Sequence, residues 1–395
     1  MAAAPCAPVV VLGGGPAGSA VALSLKAHRP GLAVVIVEPG GETLRRLGES
    51  LSPAAREILG SLGCWPRFEA AGFLQSHGTL ASWESAQLGE NAYLFSARGL
   101  GWQVERESFD ALLVECAMAA GVAVLRGARY LGSERGSDGL WRLFLRGTEP
   151  LDASFVVDAT GRAAVFATAQ GARRLAADRL AGALRMFRLD GDTGGETLVE
   201  AEEEGWWYSV PTRGGLLAVG WMSDPDLLRL RRLYHPESWL DHVRRSHYTS
   251  LRIADAQPAC AVTVRAAGSQ CLDTVVGGGW LATGDSAAAY DPLSGQGLLH
   301  ALRFGKLASF AILDYLQGRA QGLQLYRELI HEDYDAYLHI NQQYYAKVTR
   351  WPNSPFWMRR ASCTWSVPLP KHFDDAFAVR PPEDREAANS SDMIG

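Results

Sequence analysis

The chain passes without a polar break from Val9-Val10-Val11-Leu12 into Gly13-Gly14-Gly15-Pro16-Ala17-Gly18, and a helix-compatible stretch, Ser19 to Ala27, follows. A short β-branched run of this kind predicts a strand buried on both faces, with a turn and a helix behind it. The theme recurs. Ala33-Val34-Val35-Ile36-Val37 predicts a second strand ending at Glu38, and Phe155-Val156-Val157 runs into Asp158-Ala159-Thr160-Gly161-Arg162. Gly279-Trp280-Leu281-Ala282-Thr283 runs into Gly284-Asp285. Between these runs, Phe109, Leu112, Leu113, Cys116 and Ala117 recur at helical spacing and predict an amphipathic helix over Glu107 to Ala120. Pro53 to Leu62 predicts a short helix with Ser52 as its N-cap and Pro53 at its first position. Val122 to Leu125 predicts a strand, and an alternating strand pair forms around Leu140 to Leu145 after the turn Gly136-Ser137-Asp138-Gly139.

From about 180 to 270 the texture changes. Strand-like pieces at Ala183 to Leu189, Trp206 to Val210, Leu216 to Trp221 and Ala261 to Ala266 surround one amphipathic helix near Pro236 to Ser246. Two long helices follow, Gly297 to Gln317 and Gln321 to Val348, and beyond Lys371 a Pro-, Glu- and Ser-rich stretch predicts a disordered tail. The expected organisation is a discontinuous nucleotide-binding domain (1–75, 100–180 and 270–325) and an inserted mixed-sheet substrate domain (76–99 and 181–269). A C-terminal helical segment (326–370) and the tail (371–395) complete it. The fold class is α/β, with a Rossmann-like domain of the glutathione reductase type.

The glycine spacing gives the first strand junction its chemistry. Gly13 permits the turn, Gly15 has no side chain to hold a pyrophosphate away from the backbone, and Gly18 lets helix and strand approach. Pro16 and Ala17 open the helix, whose free N–H groups favour phosphate. Glu38, twenty residues beyond Gly18, is placed to accept hydrogen bonds from both hydroxyls of an unphosphorylated ribose. A unit this near the N-terminus suits a resident FAD better than an inserted nicotinamide module.

Composition narrows the setting. The 395 residues are 47% hydrophobic and 21% charged, with a net charge of −5. That is a globular chain of two joined domains, with no basic field or run for nucleic acid. Six scattered cysteines include no C-x-x-C pair, so metal-site spacing is absent, and a chain of this size argues against a disulfide framework. No signal peptide and no membrane-length apolar run is evident, so a soluble, cytoplasmic protein is expected.

Together with Arg106-Glu107-Ser108-Phe109-Asp110, the three glycine junctions and Asp291-Pro292-Leu293-Ser294-Gly295-Gln296-Gly297 resemble the para-hydroxybenzoate hydroxylase-like flavoprotein superfamily. The resemblance implies FAD, with Asp285 against its ribityl chain. It also implies that Pro292, Gly295, Gln296 and Gly297 turn N–H groups toward the pyrimidine end of the flavin. Arg46, Ser50, Arg106, Asp158 and Gly161 join Gly13, Gly15, Pro16, Ala17, Gly18 and Glu38 as expected cofactor contacts. Taken alone, Asp285 reads equally as an N-cap.

A narrower resemblance lies at Leu47-Gly48-Glu49-Ser50 and Trp206-Trp207-Tyr208-Ser209-Val210-Pro211, which are similar to motifs of the flavin-dependent tryptophan halogenases. Halogenases rely on a lysine after the Gly-Glu-Ser segment and a glutamate in the late turn. Here no lysine lies between Lys26 and Lys306, and the turn position is Ser294. A closer resemblance is to the halogenase-like branch of LodB/GoxB-type maturation flavoproteins. It rests on Gly48 to Pro53, Ser76-His77-Gly78, Ala81-Ser82-Trp83, Gly101-Trp102, Gly205 to Tyr208, Asp291 to Gly297, Arg350-Trp351-Pro352 and Phe356 to Arg360.

The activity this implies is FAD-dependent monooxygenation of an indole- or tryptophan-like ring through a flavin C4a-hydroperoxide. The substrate would extend to a peptidyl tryptophan of a partner oxidase precursor during cysteine tryptophylquinone biogenesis. Trp83, Trp206, Trp207 and Tyr208 are the expected substrate wall, with a packed strand as the other reading. His77, Glu49 and Asp291 are the expected acid–base groups. Against those roles stand a surface histidine, a loop-positioning glutamate and a helix-capping aspartate. Asp158-Ala159-Thr160-Gly161-Arg162 departs from the D-G motif that engages NADPH in single-component hydroxylases, so a separate flavin reductase is expected. The alternatives are a halogenase-like oxidoreductase on a small aromatic, a flavin-dependent reductase or dehydrogenase, and a non-oxidising maturation chaperone.

Overall fold

A computed structural model describes residues 7–40, 48–93, 98–191 and 194–361. Its centre is a sheet in the spatial order Val276–Gly277, Trp280–Ala282, Phe155–Asp158, Val9–Leu12, Val34–Glu38, Ala123–Arg126. All but the first of these strands run parallel, with Val9 in register with both Phe155 and Val34. Val9 to Leu12 and Phe155 to Asp158 are wholly buried, as a parallel sheet covered on both faces requires. On one face the helix Pro16–His28 packs against Gly297–Tyr315 and Arg106–Ala119. A Cβ at Gly305 would overlap the Ala17 carbonyl oxygen, so that glycine sets the approach of the two longer partners. The other face is closed by an antiparallel meander (Arg129–Arg135, Trp141–Arg146, Leu151–Ala153), where Trp141, Phe166 and Trp280 meet edge-on.

The 180–270 region forms the larger sheet. Its strands lie in the order Gln257–Pro258, Ala181–Arg188, Leu216–Ser223, Gly205–Thr212, Thr197–Glu202, Gly78–Ser82, Gly89–Ala92, and Thr263–Ala266 also pairs with Ala181–Arg188. Thr197–Glu202 runs parallel to Gly78–Ser82, and this joins the two sequence-distant pieces of the sheet. Strand alternation divides the sheet's aromatic residues. Trp207 and Trp221 point to the face covered by the helix Pro236–Val243, while Trp206 and Met222 point to the helices Gln321–Ala346 and Pro355–Ala361. The structure is therefore α/β, with a Rossmann-like parallel core, an added mixed sheet and C-terminal helices.

The start of the helix Ala55–Ser61 differs from expectation. The helix expected from Pro53 begins at Ala55, and Ser52 does not cap it with its side chain. Instead the Ala55 N–H donates to Ser52 O and the Arg56 N–H to Pro53 O, three-residue spacings that make a tight turn before the first helical bond.

Candidate active site

The glycines of the first turn fall into two kinds. A Cβ at Gly13, which has φ +110°, would overlap the Ala159 carbonyl oxygen, and one at Gly18 would overlap Gly13 O. These two glycines fold the turn. A Cβ at Gly15 would meet nothing within 4 Å, and the helix that begins at Pro16 has no side-chain cap. Its N-terminal N–H groups thus open onto free space that backbone can share with a bound group. Glu38 ends the second strand with its carboxylate against the turn, where any Cβ at Gly14 would strike it. Burial, opposed by Arg126, raises the Glu38 pKa.

A second uncapped helix N-terminus arrives beside the first. Gly284, at φ +59°, lets the Thr283-Gly284-Asp285 turn sit against the Ala17 methyl group. Asp285 is half-exposed there, 3.9 Å from the Arg162 guanidinium. Gly295 (φ +60°) closes the short turn Pro292–Ser294, and Gly297 opens the helix Gly297–Tyr315 without a side-chain cap. A Cβ at Gly295 or Gly297 would meet nothing within 4 Å. A crevice lined by Gly284, Asp285, Tyr290, Gly297, His300 and Phe304 lies alongside. Two donor-rich helix ends, an acceptor at Glu38 and glycines facing open space fit a dinucleotide whose charge lies at its pyrophosphate and, when reduced, at its flavin. The residues present fit FAD.

Not every expected contact reaches that space. Asp158 is 0% exposed, and its carboxylate accepts the Thr160 N–H and hydroxyl and the Ala167 N–H, so it holds the Gly161 junction from within. Gly161, at φ +72°, accepts the Ser286 hydroxyl on its carbonyl and thereby ties the second and third junctions. The Ser50 hydroxyl is spent on Gln103 Oε1 at 2.7 Å and Thr197 Oγ1 at 2.6 Å. Arg106 donates to Glu49 at 2.5 Å and to Asp110 at 3.2 Å. Burial alone would lower its pKa, but the two carboxylates outweigh that and raise it. Arg46 lies outside the described residues.

The aromatic strand requires a correction. Trp206 and Trp207 are 1% and 0% exposed, and Trp83 is 8% exposed. Trp207 is on the far face, packed with Trp221, Trp239 and His242. Trp83 and Trp206 lie with Tyr345 and Trp357 in a closed cluster, and the Trp83 indole donates to the Tyr344 carbonyl oxygen at 2.7 Å. Edge-to-face packing of this density is core, and the packed-strand reading applies to all three tryptophans. Tyr208 is the exception. Its ring lies over Gly220, where a Cβ would collide with it, and its hydroxyl makes no hydrogen bond among the described residues. Burial, followed by the nearby Glu49 carboxylate, raises the Tyr208 pKa.

The acid–base candidates also separate. Asp291 is 2% exposed and its carboxylate is committed to internal donors, the Leu293 N–H and the Tyr345 hydroxyl. Burial, then Asp178, pushes its pKa up to about 6. It caps the turn and touches no open space, so it is a structural acid and not a proton donor to substrate. Glu49 is half-exposed on its Arg106 anchor. His77 is exposed at the junction of Leu74–Ser76 and Gly78–Ser82, with no side-chain hydrogen bond among the described residues. Residue spacing did not reveal Tyr345, Tyr337 or Gln103. The available signal was the series Tyr326, Tyr334, Tyr337 and Tyr345, buried tyrosines at helical spacing on one long helix.

Comparison with known proteins agrees with this geometry. The family model for FAD dependent oxidoreductases matches residues 8–257. LodB of Marinomonas mediterranea, named an FAD-dependent oxidoreductase, is 27% identical over 89% of this chain and 96% of its own length. Tryptophan 2-halogenase of Chondromyces crocatus is 27% identical over 78% of this chain and 62% of its own. In fold, the myxobacterial chondrochloren halogenase CndH superposes with a TM-score of 0.81 at 23% identity, covering 89% of this chain and 85% of its own. The peptidyl tryptophan dihydroxylase QhpG, described as essential for tryptophylquinone cofactor biogenesis, superposes with a TM-score of 0.71 at 24% identity, covering 92% and 81%.

Proposed function

Because this chain belongs to the FAD dependent oxidoreductase family, we propose that it is an FAD-dependent monooxygenase hydroxylating a tryptophan-like ring. The proposed substrate is a peptidyl tryptophan in a partner precursor, and the role is maturation of a quinone cofactor. The similarity to LodB along nearly its whole length supports this reading, as does the fold shared with QhpG. The observation that carries it is the pair of residues at the halogenase-like positions. A halogenating site needs an amine to hold the activated halogen, and segment 72–78 offers His77 and no lysine. The late turn offers Ser294 where the halogenase pattern has glutamate.

Bound FAD, once reduced, supplies the activation of O2. For each oxygen inserted, one O2, two electrons and two protons convert a ring C–H to C–OH and release one water. The chain's own residues bind and orient. In this reading Glu49, fixed by Arg106, accepts a ring N–H, and the Tyr208 hydroxyl hydrogen-bonds the polar edge of the substrate. Leu293, packed with Tyr208 against the aromatic cluster, walls off water. A separate flavin reductase provides the electrons, and the protein acts in the cytoplasm. Incubation of the FAD-loaded protein with a reductase, a tryptophan peptide and 18O2, with and without halide, tests the proposal. Ring-bound label without any halide requirement is expected. A halogenated product, or turnover without O2, would overturn it.

A further inference from the structure

Tyr345, near the end of the helix Gln321–Ala346, joins the strand Gly205–Thr212 to the turn at Asp291. It accepts the Trp206 indole N–H at 3.0 Å and donates its own proton to Asp291 Oδ2 at 2.7 Å. All three residues are at most 4% exposed. The other Asp291 oxygen accepts the Leu293 N–H at 2.8 Å, and the Asp291 backbone N–H donates to the Tyr337 hydroxyl at 2.8 Å. The turn before Gly297 is thus pinned to one helix at two tyrosines and, through Tyr345, to the aromatic strand.

What this turn positions lies just downstream. Gly295 and Gly297 face open space, and the helix Gly297–Tyr315 begins there without a side-chain cap. Donors so arranged favour negative charge, and their effect depends on placement to within tenths of an ångström. On two-electron reduction a flavin gains an electron pair, and with uptake of one proton it becomes an anion at its pyrimidine end. The oxidised ring carries no such charge.

We infer that Tyr345 is a positioning residue that sets the redox balance of FAD: by clamping Asp291 to Trp206, it holds the Gly295–Gly297 N–H groups where the reduced, anionic flavin needs them. Loosening the clamp weakens the reduced form more than the oxidised one. The inference rests on FAD as the cofactor and not on the nature of the substrate.

The test uses the full FAD-loaded chain and measures the two-electron midpoint potential of Tyr345→Phe against the parent at the same pH. About tenfold preferential weakening of reduced FAD is expected, a fall of about 30 mV, with the oxidised FAD affinity and melting temperature close to the parent's. Trp206→Phe removes the indole N–H together with part of the ring but leaves the Tyr345–Asp291 hydrogen bond, so a smaller fall of the same sign is expected. It carries the test alone if Tyr345→Phe does not fold. An unchanged potential in a folded, FAD-loaded variant would overturn the inference. Equal loss of affinity for both oxidation states would also overturn it, since a purely structural role would do that.

Discussion

At Gly15 and Gly297 a missing side chain leaves open space, whereas around Trp206 other rings and a tyrosine hydroxyl fill the surroundings. Both regions stand out in the sequence as unusual composition, glycine in one and tryptophan in the other. The difference is in what each does with its peculiarity. The glycine turns expose backbone donors that only a ligand can use, while Trp83, Trp206 and Trp357 spend their indole N–H groups inside the protein and join the large sheet to the C-terminal helices. An unusual cluster marks a binding site when it leaves polar groups or volume unclaimed. Tyr208 meets that condition, and Trp206, whose indole donates to Tyr345, does not.

The comparison breaks most readily at Trp206. Trp206→Ala removes a fully buried indole and the donor to Tyr345, and should cost about 3–5 kcal/mol of stability in urea melts. A loss below about 1 kcal/mol would mean the ring lines a cavity after all. Asp291 gives the next effect. Its native pKa of about 6 lies above the unfolded carboxylate value of about 3.9, so the native state favours the protonated form. That contribution is fully present below about pH 4 and is lost as pH rises through 6, to about 3 kcal/mol. Asp291→Asn does not titrate, so the stability difference between parent and variant should change by that order between pH 4 and 7.5. A constant difference would contradict the buried, raised acid.

On the open side, Glu49→Gln keeps the side-chain shape but loses the charge that Arg106 holds. Turnover should fall about 100-fold with FAD content unchanged. His77→Asn should cost about tenfold near neutrality, with peroxide release rising at the expense of product, as oxygen electrodes and peroxide assays would register. If either substitution instead empties the flavin site, that residue belongs to the cofactor cradle.

The nucleotide-binding half was legible because its signals are local. Val9 to Leu12, the glycine spacing and Glu38 are read off one short segment, and a buried parallel strand tolerates little else. The aromatic half was not, because alternation places Trp206 and Trp207 on opposite faces without saying which face is closed. The answer depends on Tyr345 and Trp357, more than a hundred residues away. Thr197–Glu202 escaped notice because Glu200 and Glu202 dilute its apolar pattern, although Glu200 is buried and accepts the His247, Tyr248 and Thr249 N–H groups. Asp158 and Ser50 fit their motifs by residue type, but their partners are inside the protein.

The measurement that bears most directly on the whole account is FAD titration of the apoprotein, followed by flavin fluorescence, in the parent and in Gly15→Val. A Cβ at this position meets nothing within 4 Å, so the apoprotein should melt close to the parent. FAD affinity should nevertheless fall at least about 100-fold, roughly 2.7 kcal/mol. Undiminished FAD binding by a normally folded Gly15→Val protein would contradict the assignment of that open space to the cofactor.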